Sequence, residues 1–221
     1  MNFLDNYRKY ENTKETRDEY LKNIETIIRN SNSFFEGNCF YHNGTLILDP
    51  ELLPKQLNLF WIASQAPMRI CEIGFNAGHS CMLFLLGKPS SCVNFTIFDI
   101  GHHPYTIPAL HYVANNFKDV RFEYIQGDST VEMPKWIENH TDLIGQYDMI
   151  HVDGGHTEHC ISNDMKNADR LLKLNGYMIL DDVFYPHIDA EVDKYISSGK
   201  YKEVYIIPTF GPRHRIIQKI K

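Results

Sequence analysis

Positive charge, long apolar runs and paired cysteines are all scarce in this chain. Lys and Arg number 22 against 28 Asp and Glu, giving a formal net charge of −6. A dedicated nucleic-acid binder normally carries a basic patch, so nucleic acid is disfavoured as a partner. No apolar stretch approaches the roughly 18 residues of a membrane span. The opening MNFLDNYRKYENTKETRDEY is too polar for a signal peptide. A cytoplasmic location without a membrane partner is therefore expected. Cys39, Cys71, Cys81, Cys92 and Cys160 form no CxxC pair. Reduced intracellular thiols are the expectation. A complete dinucleotide fingerprint is also missing. After Gly74 come Phe75 and Asn76, and the next glycine is Gly78. Asn76 and Ala77 stand where a dehydrogenase would hold a pyrophosphate, so a smaller adenosyl ligand is favoured over a diphosphate.

The chain has 221 residues, 43% of them hydrophobic, enough to bury a sizeable core. Residues 1–36 read as charged helix, with Tyr20, Leu21, Ile24, Ile27 and Ile28 as an apolar stripe at helical spacing. That stripe is expected to pack on the domain or on a second copy, as in a homodimer. Asp49 and Pro50 suit the opening of a helix running to Ser64. From Met68 the pattern alternates. MRICEI, NFTIFD, RFEYIQ, YDMIHVD and GYMILDD read as strands. Helices are expected over 78–86, 107–117, 131–139, 158–174 and 190–197, with Asn175-Gly176 as a helix stop. YKEVYII and RHRIIQKI alternate well enough to form an antiparallel pair at one edge.

Such alternation predicts an α/β fold. We expect a Rossmann-like, doubly wound, mostly parallel seven-stranded sheet with an antiparallel C-terminal edge strand. An N-terminal helical extension over 1–45 would precede a domain over 46–221. In open sheets of this kind the ligand crevice lies beyond the carboxyl ends of the strands. Glu72, Asp99, Asp128, Asp153, Asp181 and Asp182 all fall at those ends and should share one rim. Asp99 at the second tip is placed to accept hydrogen bonds from ribose hydroxyls. Gly127-Asp128-Ser129 at the third tip faces either an adenine edge or the next helix as its cap. Asp153, Asp181 and Asp182 form an oxygen-rich set of the type Mg²⁺ accepts. His156 follows a Gly-Gly turn after Asp153 and suits a general base. His151 and His159 read as a packed and a solvent-facing residue. His102 and His103 have no visible partner at metal spacing and read as rim or lid residues. Tyr185, His187, Phe210 and His214 fall in loops that could flank an acceptor.

EIGFNAGHS, FDIGHHPY, GDS, YDMIHVDGGHTE and GYMILDDV, in this order, resemble class I S-adenosylmethionine-dependent methyltransferases. The resemblance is to the branch of metal-dependent O-methyltransferases that includes those acting on macrolide sugars, and it covers about 68–183. It implies S-adenosyl-L-methionine as cofactor and the use of Mg²⁺. It implies that Glu72, Gly74 and Gly78 line the methionine end, Asp99 the ribose, and Asp128 with Ser129 the adenine. Phe75, Asn76, Ser80, Gly127 and Asp153 belong to the same implied cofactor site. In that branch the aspartate of a D-x-x-H element holds metal and its histidine acts as base, here Asp153 and His156. An acidic pair on the next strand completes the metal site, here Asp181 and Asp182. Asp181 stands where that branch often has Glu, which shortens one ligand arm. The implied activity is O-methylation of a small-molecule or carbohydrate acceptor.

Overall fold

The computed structural model describes residues 3–36, 39–42, 44–65, 68–88, 93–205, 207 and 214–221. Two compact units emerge. The first comprises 1–66, 75–91 and 101–120, and the second 67–74, 92–100 and 121–221.

That first unit is helical. It holds α1 (Phe3–Asn12), α2 (Lys14–Asn30), α3 (Leu53–Ala63), α4 (His79–Gly87) and α5 (Thr106–Asn116). Asp49 accepts from Glu51 N at 2.9 Å and caps the short 3-10 turn ahead of α3. On α4, every residue from His79 to Leu85 is buried, as a helix apolar on all sides requires. The α2 stripe is also consumed here, with Tyr20, Leu21, Ile24 and Ile28 buried. Tyr20 packs its ring on Tyr112 of α5 at 5.2 Å and donates its hydroxyl to Gly78 O at 3.2 Å. The stripe thus finds partners within the first unit, with Ile27 left half-buried.

The second unit is built on a seven-stranded sheet. Its strands are β1 (Arg69–Ile73), β2 (Val93–Asp99), β3 (Val120–Gln126), β4 (Tyr147–Val152), β5 (Leu172–Asp181), β6 (Tyr201–Glu203) and β7 (His214–Lys219). Their order is β3-β2-β1-β4-β5-β7-β6. β1 pairs in parallel with β2 and β4, and β4 with β5. β7 runs antiparallel to β5 and β6, so the expected pair stands at one edge with β6 outermost. The chain reverses its direction of travel between β1 and β4, the switch point at which such sheets bind ligands.

Helices α6 (Ser129–Asn139), α7 (Glu158–Leu171) and α8 (Pro186–Ser197) complete this unit. Cys71, Ile73, Ile150, Val152, Met178 and Leu180 from the sheet meet Met133, Ile137, Ile161, Met165 and Leu171 in one buried cluster. Full burial of each large apolar side chain stabilises by about 1.5–3 kcal/mol. α8 begins at Pro186, a turn before the expected 190, because proline suits a helix's first turn.

One boundary differs from expectation. α7 ends at Leu171, and Leu172 already pairs with Tyr147 as the first residue of β5. The next register point is Tyr177 opposite Met149, so 173–176 form a bulge in the strand. Asn175, at φ +65°, turns the chain inside that bulge and does not stop a helix. Buried Leu172 fixes the strand start, since a helix continued to 174 would lose its pairing with Tyr147. Among the described residues no helix is long and apolar enough to cross a membrane.

Candidate active site

The strand tips of the second unit are joined through backbone. Gly127 N donates to Asp99 O at 2.9 Å, Gly74 N to Phe98 O at 2.8 Å, and Asp153 N to Ile73 O at 2.9 Å. The ends of β3, β2, β1 and β4 are thereby tied in sequence. Gly74 lies at φ +90°, and a Cβ there would sit 1.9 Å from Asp153 O. Glycine is required because two main chains meet where a side chain would go.

The acidic tips occupy distinct settings. Asp99 is half-buried, and burial followed by its charge pushes the Tyr124 hydroxyl up to about 12. Asp128 caps α6, accepting from Thr130 N at 2.9 Å and Thr130 Oγ1 at 2.7 Å. The Thr130 hydroxyl and N–H hold its carboxyl below the usual carboxylate range. Of its two expected roles, the cap is therefore present, beside half-buried Gly127 and Ser129. Glu72 is fully buried, with Oε1 3.0 Å from Nδ1 of equally buried His151. Glu72 thus faces a histidine partner inside the fold, and His151 packs as its strand position predicts.

Phe75, Asn76, Gly78 and Ser80 belong to the first unit. Phe75 is buried, and a Cβ on Gly78 would strike its ring at 2.6 Å. Asn76 sits at φ +53° and donates Nδ2 to Glu36 O at 2.8 Å. Ser80 is buried in the first turn of α4.

The chemistry-bearing groups gather after β4 and β5. Ligand atoms of Asp153, His156 and Asp182 lie within 4.8 Å of one another, and so do those of His151, Asp153 and Asp181. Asp153 is common to both sets, whereas Asp181 and Asp182 fall in different ones. His156 Nε2 stands 2.7 Å from Asp182 Oδ2. Asp182, at φ +53°, is turned outward, while Asp181 is buried and accepts Asp182 N at 2.9 Å. Thr157 accepts from Cys160 N at 3.1 Å and caps α7, so Asp153 is not used as that cap. His187 Nε2 lies 2.6 Å from His156 O, and the Tyr185 ring is 5.6 Å from His156. His214 is buried opposite Asp181 in the β5–β7 register. Phe210 lies outside the described residues. His159 is exposed, as expected.

Sequence reasoning missed Asp164. It is fully buried on the core stripe of α7, between Ile161 and Met165. A Cβ on Gly154 would stand 3.2 Å from its Oδ2, so the carboxyl backs the Gly-Gly turn. An acid at a core-facing stripe position was the available signal. Burial pushes its carboxyl up to about 6, against an opposing pull from the Ser129 hydroxyl. Between 3.8 and about 6 the folded state therefore binds more protons than the unfolded state. Stability falls as pH rises through that window. Asp164→Asn lacks this penalty. At about 1.4 kcal/mol per pKa unit, it should gain about 2–3 kcal/mol on the parent between acid and neutral pH. Urea denaturation of both proteins at the two pH values measures this. Parallel pH profiles would show that Asp164 does not titrate.

Comparison with known proteins follows this geometry. The family described as a methyltransferase domain matches residues 71–183. No curated protein sequence matches the chain. Among solved structures, an O-methyltransferase from Bacillus cereus in complex with SAH is similar at TM-score 0.65 and 16% identity, covering 92% of this chain and 91% of that one. The O-methyltransferase TomG from Streptomyces achromogenes, in complex with SAM, is similar at TM-score 0.62 and 15% identity, covering 92% and 90%. A TDP-rhamnose 3'-O-methyltransferase of calicheamicin biosynthesis is similar at TM-score 0.60 and 12% identity, covering 91% and 93%. These likenesses show a shared Rossmann-like fold. The family match spans more than half the chain and includes Gly74, Asp153, His156 and both acids ending β5, so this chain belongs to the methyltransferase-domain family.

Proposed function

We propose that the protein is a cytoplasmic S-adenosylmethionine-dependent O-methyltransferase acting on a hydroxyl of a small molecule or sugar. One observation carries this reading. An imidazole and two carboxylates, His156, Asp153 and Asp182, converge within 4.8 Å beyond two adjacent parallel strands. Solved structures of this fold bound to SAM or SAH support the cofactor. Asp99 is the ribose-binding acid in this reading, and Asp128 with Ser129, beside Gly127, meets the adenine.

The reaction is a displacement at carbon. An acceptor oxygen attacks the sulfonium methyl, the C–O bond forms, and the C–S bond breaks to leave a neutral thioether. The hydroxyl proton goes to His156. Asp182 fixes the imidazole ring and balances the charge that develops on it. Alignment of oxygen, carbon and sulfur carries much of the catalytic burden. Exposed Phe184 and Tyr185, with rings 4.3 Å apart, offer apolar faces to an acceptor beside His156.

The donor set fits a hard divalent cation. Asp153, common to both groups, would hold Mg²⁺ together with Asp182 or with Asp181, each an oxygen donor of the type that ion takes. When bound, the ion supplies a fixed positive charge that lowers the pKa of an acceptor hydroxyl.

The test is methyl transfer to a panel of polyol, sugar and phenolic acceptors, with Mg²⁺ and with excess chelator. Cofactor binding is read separately by calorimetry. Saturable binding of S-adenosylmethionine with chelator-sensitive transfer is expected. Chelator-insensitive transfer would remove the cation and leave His156 as base. A chain that does not bind the cofactor would overturn the reading.

A further inference from the structure

The His102-His103 pair, which sequence alone left without a partner, acquires one in the fold. Within the first unit, ligand atoms of Glu36, His102 and His103 all lie within 4.8 Å of one another. His103 Nε2 stands 3.3 Å from Glu36 Oε2, and the two histidine rings are 3.8 Å apart. Glu36 and His103 are 67 residues apart in the chain.

Both backbone stretches that carry these donors are pinned. His103 stacks on Tyr105 at 4.8 Å and 9°, and Tyr105 is fully buried. The His103 side chain is only 12% exposed. Phe35, the residue before Glu36, is buried against Tyr105, Tyr41 and His79. Asn76 Nδ2 holds the Glu36 carbonyl at 2.8 Å. The two backbone stretches and the His103 ring are therefore held by a buried aromatic base, while the Glu36 carboxylate and the His102 imidazole reach the surface, where an ion can meet them.

We infer that Glu36, His102 and His103 form a second metal site, of the zinc class, separate from the oxygen-rich group at Asp153. Two imidazoles and one carboxylate are the donors Zn²⁺ takes when one coordination position stays open to water. Imidazole donors favour zinc, nickel or copper over magnesium. Bound there, the ion clamps the segment after α2 to the loop ahead of α5. It would stabilise the first unit by mass action, because the unfolded chain does not bring these donors together.

The experiment is a Zn²⁺ titration against a chromogenic competitor, with melting temperature followed in parallel. It uses the parent, the double variant H102A/H103A, E36Q and D153N/D182N. We expect one zinc equivalent that survives in D153N/D182N and disappears in H102A/H103A. The zinc-induced rise in melting temperature should follow the same pattern. E36Q keeps the fold and a near-isosteric side chain, and should weaken binding by about tenfold or more. If H102A/H103A does not fold without metal, E36Q decides. Undiminished zinc affinity in E36Q, or zinc uptake lost only in D153N/D182N, would overturn the assignment.

Discussion

Replacing Asp153 by asparagine is expected to lower turnover by about 10²- to 10⁴-fold and to abolish any response to Mg²⁺. Asp153 is the one residue common to the His151/Asp181 and His156/Asp182 groups, so its charge bears on both. Asparagine keeps the shape and removes the charge. The backbone should not notice, since Asp153 N still donates to Ile73 O and Thr157 still caps α7. The comparison is kcat and KM at saturating cofactor, with S-adenosylmethionine affinity as a fold control. A kcat within about threefold of the parent, at parent-like affinity, would remove Asp153 from the chemistry.

Among the described glycines, Gly74 should tolerate an added methyl group least. Its Cβ would meet the Asp153 carbonyl oxygen at 1.9 Å and the carbonyl carbon at 2.7 Å. Main chain, not a flexible side chain, would have to move. A destabilisation of about 3 kcal/mol or more is expected. Any folded fraction should carry a displaced Asp153 and little activity. Gly145→Ala is the matching control. Gly145 also has positive φ, at +68°, but its Cβ would meet nothing within 4 Å. It should show the conformational penalty alone, about 1–2 kcal/mol. Urea denaturation of the two variants separates collision from backbone strain. Equal losses would show that the approach of Gly74 to Asp153 carries no special cost.

Much of this architecture is legible in the sequence. Parallel strands buried on both faces leave apolar runs such as YDMIHV and GYMIL, and their acids fall at the tips. Helix periodicity places Ile161, Met165 and Ala168 on one stripe. What periodicity does not encode is pairing across the chain. The contact of His156 with Asp182 depends on a positive φ at an aspartate, which no spacing rule anticipates. Glu36 meets His103 for a similar reason, through a fold that closes a separation of 67 residues. Asn175-Gly176 misled because the same two residues serve a helix stop and a strand bulge, and only the pairing of Leu172 with Tyr147 decides between them. The packing of the Phe75 ring against Gly78 is likewise invisible to spacing.

Asp153 is seated on main chain: its N donates to Ile73 O, its carbonyl lies against Gly74, and Gly74 N in turn donates to Phe98 O. Amide and carbonyl groups are the same whatever side chains hang from them. Substitutions at Phe184, Tyr185, His187 and in the surrounding loops therefore leave this main-chain seat untouched, whereas a single substitution at Gly74 does not.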